Sequence, residues 1–516
     1  MNNRIVDYGI VDKSIVSKTM EDKSITNSSV LNGEIVDSGI LDSGIVNSGM
    51  VNRSITNSGI LNSRGVKQLK DIAAGNLPAT TRPWQMLFAF ILMFATTQTG
   101  LAQSNQNSLS RSGSFYSGFA FGAPADIYSG HTLGMGMPGV SDPDGFKPNM
   151  TNPAHWGNAR LSKGQIRFGL TGYRGSDALN RETYSLFTIE SFQVVLPLLR
   201  DRLGLSLGFR PATRLEYSRT NAGIFEPGGF IDPVGYVTNS TGTGGVNILE
   251  AGAGYRLNDN LSVGYAPSIF LMSLNKNITT DFSQSQFQSK SVSEELSGYA
   301  AGHRFGVQFQ AGSLFAERDR FLAGLSLQLP VTIDADLSKT TFRFVEGAFT
   351  EVDVNGVAPA PAEVKIPLEV HLGITYYFNP GNSITSELQF QQWGDARFST
   401  DLSQEAYFTD RINVGLGYQF RPDRLRSGRS FFSRLQYRAG FTYDTGHLTF
   451  SSENIETWML HTGISVPSPN SPSSMDLSFH VGWQGTDKLN LVKEQIFKVK
   501  LSLNLAEFMF VRSRFQ

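Results

Sequence analysis

Leu203-Gly204-Leu205-Ser206-Leu207-Gly208-Phe209-Arg210-Pro211-Ala212-Thr213-Arg214-Leu215-Glu216-Tyr217 carries a large apolar side chain at every second position up to Phe209. Glycine and serine stand between. A period of two sends successive side chains to opposite faces of an extended strand, so one face meets an apolar phase and the other a polar one. The alternation returns at Ile166, Phe168 and Leu170, and at Leu261, Val263 and Tyr265. It returns again at Leu368, Val370, Leu372, Ile374 and Tyr376, at Ile412, Val414, Leu416 and Tyr418, and at Val499, Leu501, Leu503 and Leu505. Counting every such run predicts fourteen strands, beginning near residues 163, 187, 203, 245, 260, 299, 320, 364, 383, 410, 431, 456, 474 and 493.

The connections alternate too. Arg200–Arg202, Asn258–Asn260, Glu317–Asp319, Asn379–Asn382 and Pro467–Ser474 are compact and polar, and 421–430 is somewhat longer. The intervening stretches 219–244, 273–297, 335–362, 395–409 and 444–455 are long. Short turns on one side and long loops on the other, with an even strand number, fit a closed transmembrane β-barrel with no free edge. No stretch after Gln103 has the roughly 18 consecutive apolar residues of a spanning helix. The fold class is therefore all-β, a 14-stranded antiparallel transmembrane barrel. Trp393, Trp458 and Trp483 fall at the long-loop ends of strands, where an aromatic girdle belongs; ordinary core tryptophan is the alternative.

Composition agrees. The 516 residues hold 44 Lys+Arg against 45 Asp+Glu, a net charge of −1 that offers no electrostatic footprint for nucleic acid. Charged residues make up only 17%, aromatics 11%, and glycine numbers 52. Mean hydropathy is −0.17, as expected where lipid and lumen faces cancel. With no cysteine there are no disulfides, thiolate metal sites or Cys nucleophile.

The N-terminal region reads differently. Residues 5–64 repeat every five, with apolar residues from Ile5 and Ile10 to Ile60 followed two positions later by Asp or Asn in eleven of twelve units, Ser17 being the exception. Two readings stand: a pentapeptide-like repeat, or a tandem DNA repeat translated upstream of a true start near Val66. Lys67, Lys70 and Arg82 then precede the apolar run Met86–Ala95, and Gly100-Leu101-Ala102 follows, the pattern of a cleaved signal peptide. The expected organisation is repeat (1–65), signal-peptide region (66–102), N-terminal plug (103–160) and barrel (161–516). The expected location is the outer membrane of a Gram-negative cell.

Ahead of the first strand stand Leu133-Gly134-Met135-Gly136-Met137-Pro138-Gly139-Val140 and then Asn152-Pro153-Ala154-His155-Trp156. A glycine-rich stretch followed by Asn-Pro-Ala before strand one resembles the plug of the long-chain fatty acid transporter (FadL-like) family of outer-membrane barrels. The resemblance covers about residues 104–516, and the ending Phe515-Gln516 departs from the usual terminal aromatic. It implies a plug within the barrel, capture of fatty acids or hydrocarbons among the outer loops, and sideways release through an opening at a kinked third strand.

Pro211 lies in the middle of the third predicted strand, and proline cannot donate to a ladder. It marks either that opening or a simple bulge. Phe225, Phe230, Phe282 and Phe287 in the long connections are candidate ligand-binding residues. Arg210 and Arg214 could hold a carboxylate bidentately, or could simply balance Glu216. The expected partners are a hydrophobic ligand and outer-membrane lipids, with the chain a monomer. A non-transporting barrel in a secretion or surface-attachment complex is the alternative, and a barrel phospholipase a weaker one. No catalytic residue, metal site or cofactor is expected: the seven histidines lack zinc spacing and no Gly-x-Ser-x-Gly accompanies them.

Overall fold

The computed structural model describes residues 113–507, apart from 131, 177–180, 227–232, 285–286, 346–347, 353–359, 399–406, 423–429, 451–452, 470 and 489–490. The repeat, the signal-peptide region and the C-terminal aromatic lie outside the described residues.

Fourteen antiparallel strands form one closed ring. They are β1 (Ser162–Ser176), β2 (Arg181–Leu199), β3 (Leu203–Phe225), β4 (Val234–Arg256), β5 (Leu261–Phe282) and β6 (Lys290–Gly312). β7 runs through Arg320–Gln328 and Val331–Val345, and β8 through Ala360–Ile366 and Glu369–Asn379, each interrupted at a proline. β9 (Asn382–Gln391), β10 (Arg411–Phe420), β11 (Gln436–Asp444), β12 (Thr457–Pro467), β13 (Ser474–Gln484) and β14 (Lys493–Glu507) complete the wall. β14 closes on β1 over its whole length, from Ser162 opposite Glu507 to Ser176 opposite Lys493.

The polarity is the reverse of a water-soluble protein. Leu205, Leu207, Phe209, Ile269, Phe305, Leu372, Leu416, Phe479 and Val499 point outward and are exposed. Arg167, Gln193, Glu250, Arg304, Gln308, Glu387, Arg438 and Lys500 point inward and are buried. This is the arrangement of a barrel that meets lipid outside and polar groups inside.

The wall is uneven. β3, β4 and β6 have 23 residues each, whereas β9 and β10 have 10 and β11 has 9. A strand needs only about 9–11 residues to cross the hydrocarbon, so β3–β7 stand well above the membrane at the long-connection end. Much of the expected loops 219–244, 273–297 and 335–362 is strand. Threonine and serine on both faces, as at Thr238, Ser240, Thr279, Ser291 and Thr340, suit a sheet wetted on two sides and give no alternation to read.

The described residues of 113–161 add no strand that crosses the wall, and most of them are buried against strands of the ring, with Phe146 and Arg160 exposed. Asn152 explains its own triplet: its Oδ1 accepts from Ala154 N–H, capping the turn Pro153–Asn158. Its Nδ2 donates to Val140 O at 2.9 Å and to Val307 O on β6 at 3.0 Å. Pro153 suits the first turn position, where no donor is needed. Ala154 meets a wall that must be glycine, because a Cβ at Gly264 would lie 2.3 Å from the Pro153 carbonyl carbon. Trp156 is buried and donates from Nε1 to Asn149 O at 2.8 Å.

Candidate functional site

The ring has one weak seam. β2 pairs with β3 only from Phe192–Phe209 down to Leu199–Leu203. Above that level β2 stays paired to β1 and β3 to β4, but among the described residues β2 and β3 no longer pair with each other. Pro211 stands at the point of parting, and the β3–β4 register slips between Pro211 and Thr213. Just beyond it, opposite Leu215 and Arg214, Gly244 and Gly245 take φ of +114° and +146°, backbone that only glycine adopts easily. Proline therefore ends one ladder while a bulge lets the other continue.

The segment before the turn Pro153–Asn158 covers the seam. Ala123 and Pro124 pair antiparallel with Arg214 and Thr213 of β3. Ala125 N–H donates to Ala212 O and Gly113 N–H to Glu216 O, both at 2.9 Å. Thr213 Oγ1 donates to Phe121 O at 2.9 Å, and Ser117 Oγ to Glu216 O at 2.7 Å. The Arg219 guanidinium lies 4.1 Å from the Phe115 ring centroid and 4.7 Å from that of Phe119. Arg214 reaches the other bank, donating to Ile189 O of β2 at 3.2 Å. Phe187 and Ile189 of β2 and Phe209 of β3 flank the seam and are exposed outward.

Phe121 anchors the segment within the lumen. It is fully buried, stacks on Trp393 with centroids 5.3 Å apart, and lies 5.9 and 6.0 Å from Phe398 and Phe408. Val246, Ile248, Phe270, Met272, Ile333 and Val364 complete an apolar layer across the barrel. A polar layer adjoins it. Lys498 of β14 holds Asp126 at 2.8 Å, and Arg411 of β10 stands 3.8 Å from the same carboxylate. Lys500 and Arg167 each hold Glu190 at 2.9 Å, and Arg411 grips Asp444. Burial alone would raise the Asp126 pKa, but Lys498, Lys500 and Arg411 outweigh it and hold the carboxyl well below its usual range. Two cavities of about 110 and 120 Å³ meet at this segment, both touching Ala123, Pro124, Asp126 and Lys498.

A family model described as BamG matches residues 85–516. The chain belongs to the BamG family. Among solved structures, this BamG-family barrel is similar to a Pseudomonas aeruginosa FadL homologue (13% identity, 75% of this chain and 99% of that one, TM-score 0.49). It is also similar to the P. putida toluene transporter TodX (11% identity, 75% and 100%, TM-score 0.48). A third is the CymD monoaromatic hydrocarbon channel (15% identity, 76% and 100%, TM-score 0.46). A search of curated protein sequences finds no match.

The sequence-derived candidates in this BamG-family barrel fall into three places. Pro211 and Arg214 lie at the seam. Phe225, Phe282 and Phe287 gather at the tip of the tall β3–β6 wall, with ring centroids 6.1 Å apart for Phe225–Phe287 and 5.6 Å for Phe282–Phe287. Phe230 lies outside the described residues. Arg210 is apart from both groups, buried in the lumen near Glu250 and Glu369, and its Nε and one Nη find no hydrogen-bond partner among described atoms. Trp458 and Trp483 stand opposite each other on the outer wall, 47% and 42% exposed. Trp393 does not join that girdle: it is buried in the apolar layer, because the segment after β9 turns inward as a short helical turn.

Phe121, Asp126, Lys498 and Lys500 were not among the candidates. A signal existed for Asp126 and for the two lysines. Asp126 is the one Asp, Glu, Lys or Arg between residues 112 and 141, and Lys498 and Lys500 share one face of a strand whose other face is apolar. The lumen also joins Thr442, His461, His480 and Ser478 in one hydrogen-bonded chain, with His461 Nδ1 and His480 Nδ1 2.6 Å apart. All four are buried, Thr442 the least at 6% exposed, and His461 lies under Gly136, whose Cβ, were there one, would strike its ring.

Proposed function

We propose that the barrel takes up hydrophobic small molecules at the outer face, through the Phe225, Phe282 and Phe287 tip, and releases them sideways through the β2–β3 seam. One observation supports this reading: the β2–β3 ladder ends at Phe192–Phe209, and a short segment rather than a wall strand covers the gap. An edge left bare in hydrocarbon is costly, so a seam closed by residues 113–125 is a door rather than a defect. Phe121 on that segment also fills the apolar layer, so withdrawal would uncover the seam and vacate an apolar site in one motion. The fatty acid or hydrocarbon nature of the ligand belongs to this proposal.

A disulfide tests it. Ala125 N–H bonds to Ala212 O, which leaves Pro124–Thr213 at the neighbouring pair without ladder bonds. Such Cα atoms lie about 4.5 Å apart, within disulfide reach. In this cysteine-free chain, Pro124→Cys with Thr213→Cys should block uptake of a labelled hydrophobic probe when oxidised and restore it when reduced. Equal uptake in both states of the assembled barrel refutes the gate.

A second reading, a structural subunit of a surface or secretion complex, draws support from the tall polar β3–β7 wall and from the small size of the cavities beside the seam. Affinity purification from solubilised membranes separates the two: a stoichiometric protein partner with uptake unaffected by the disulfide favours the complex.

A further inference from the structure

We propose that the outside of the wall carries a site for a glycolipid of the surrounding leaflet, with its saccharide head on Trp458 and Trp483 and its chains along β12–β14. The site is independent of the uptake reading, since neither tryptophan strand borders the β2–β3 seam. β12 and β13 have 11 residues each, just enough to cross hydrocarbon. Trp458 is near the start of one and Trp483 near the end of the other, and the two face each other across the ladder at the long-connection end. Their rings therefore stand where hydrocarbon gives way to head groups. Below them Leu460, Phe479 and Phe497 continue the exposed apolar wall. A tryptophan pair at this level needs no more than the bilayer to explain it. A bordered hollow above the pair does.

A cavity of about 510 Å³ opens at the two rings, a volume within the range of small-molecule sites. Glu453 and Asn454 from the short strand before β12, Gly485 and Thr486 from the turn after β13, and Lys493 at the start of β14 border it. These borders are held in place. Gly485 N–H donates to Glu456 O at 3.0 Å, and Glu453 pairs with Phe450 across a short ladder. The Tyr443 hydroxyl bonds the Glu456 carboxylate, and the Tyr443 ring centroid lies 4.4 Å from that of Trp458. Glu453 holds Lys488 at 3.2 Å, whereas Lys493 is exposed and makes no ion pair among the described residues. The chemistry of the lining is mixed: Glu456 only accepts, Lys493 only donates, and Asn454 and Thr486 do both. Sugar hydroxyls, donors and acceptors at once, match all four. A choline head offers no donor, and a phosphate diester would meet the carboxylates of Glu453 and Glu456. The C–H face of a pyranose also suits the negative face of an indole. A free sugar would gain only the upper half of this site; a lipid-borne one gains the apolar wall below as well.

The test is fluorine NMR of the full chain, labelled with fluorotryptophan and reconstituted in dioleoyl phosphatidylcholine nanodiscs. Diglucosyl dioleoylglycerol and dioleoyl phosphatidylglycerol are the probes, matched in chains and differing in head. The glycolipid should shift the Trp458 and Trp483 signals saturably, at a half-saturating fraction at least about fivefold lower than phosphatidylglycerol requires. Trp156 and Trp393, buried in the lumen, should not move. Free maltose should leave all four signals in place. Trp483→Leu keeps an apolar side chain toward lipid but removes one ring, and should raise the half-saturating fraction at least about fivefold, read at Trp458. Glu456→Gln should raise it at least about threefold, read at both rings, and covers the case in which the first variant fails to assemble. Equal responses to the two lipids overturn the site, since the rings would then report any head group. A shift with maltose alone overturns the lipid-borne occupant. Half-saturation unchanged in an assembled variant overturns the role given to that side chain, and in both variants the site itself.

Discussion

Phe121→Ala isolates the seam segment from the barrel that holds it. The side chain is fully buried and packs on Trp393, Phe398 and Phe408, yet it belongs to no wall strand. Truncating a buried phenylalanine costs about 3–5 kcal/mol in lost transfer and cavity formation. The closed ladder of fourteen strands does not depend on it, so the cost should fall on the equilibrium between seated and withdrawn segment. At about 1.4 kcal/mol per tenfold, the withdrawn population should rise by roughly two to three and a half orders of magnitude. Amide exchange by local opening scales with that population. The Gly113 and Ala125 amides should therefore exchange faster by a comparable factor, while amides of β9–β13 keep native rates. Phe315→Ala, at an 82% exposed ring in a turn, serves as the control and should change neither. Exchange at Gly113 and Ala125 within threefold of native, in a barrel that still shows a heat-dependent gel shift, would refute the independent segment. Equal loss of protection throughout the wall would refute it as well, since Phe121 would then be holding the barrel itself.

Other outcomes follow from the same contacts. Asn152→Ala removes a cap and two side-chain donors to buried carbonyls, and should cost about 2–4 kcal/mol of plug seating; limited proteolysis near residues 140–160 of an intact barrel measures it. Gly264→Val places side-chain atoms where Pro153 already stands and should expel the same turn, read as new cleavage there with the gel shift retained. Phe282→Ala with Phe287→Ala removes the aromatic tip; losing about 1–2 kcal/mol of apolar contact should raise the half-saturating probe concentration roughly 5- to 30-fold with little change in maximal uptake.

Strand number and order, and the starts of β1, β3, β5, β7, β9 and β13, were legible because a lipid-facing wall enforces a strict period of two, and that period is written residue by residue in Leu203–Phe209 and Val499–Leu505; β2, β4 and β6 begin 6 to 11 residues before the expected 187, 245 and 299, and β11 begins at Gln436 rather than 431. Legibility ended where lipid ends. Above the membrane both faces of β3–β7 meet water, alternation disappears, and strands such as Asn275–Phe282 read as loop. The break at Pro211 was legible for the opposite reason, since a missing donor is visible in one letter. Trp393 misled because a strand-end position does not say whether the chain next turns toward lipid or lumen. The contacts of Asp126 could not be read at all: they join residues 372 apart in sequence, and only the closure of β14 on β1 and the return of the segment through the lumen bring them together.

The seam and the segment that closes it solve a single problem. A bent third strand leaves an edge, and an edge cannot face hydrocarbon unpaired. A permanent wall strand would cure the edge and seal the barrel. A short segment does otherwise: it bonds Ala212, Arg214 and Glu216 of β3 only locally, interrupted by the turn Phe115–Gly118. Each such bond is worth only about 0.5–1.5 kcal/mol net where water can replace it, so backbone pairing alone makes a weak closure. The firmness comes from Phe121 in the apolar layer and Asp126 in the charged one, two anchors of opposite chemistry five residues apart in sequence.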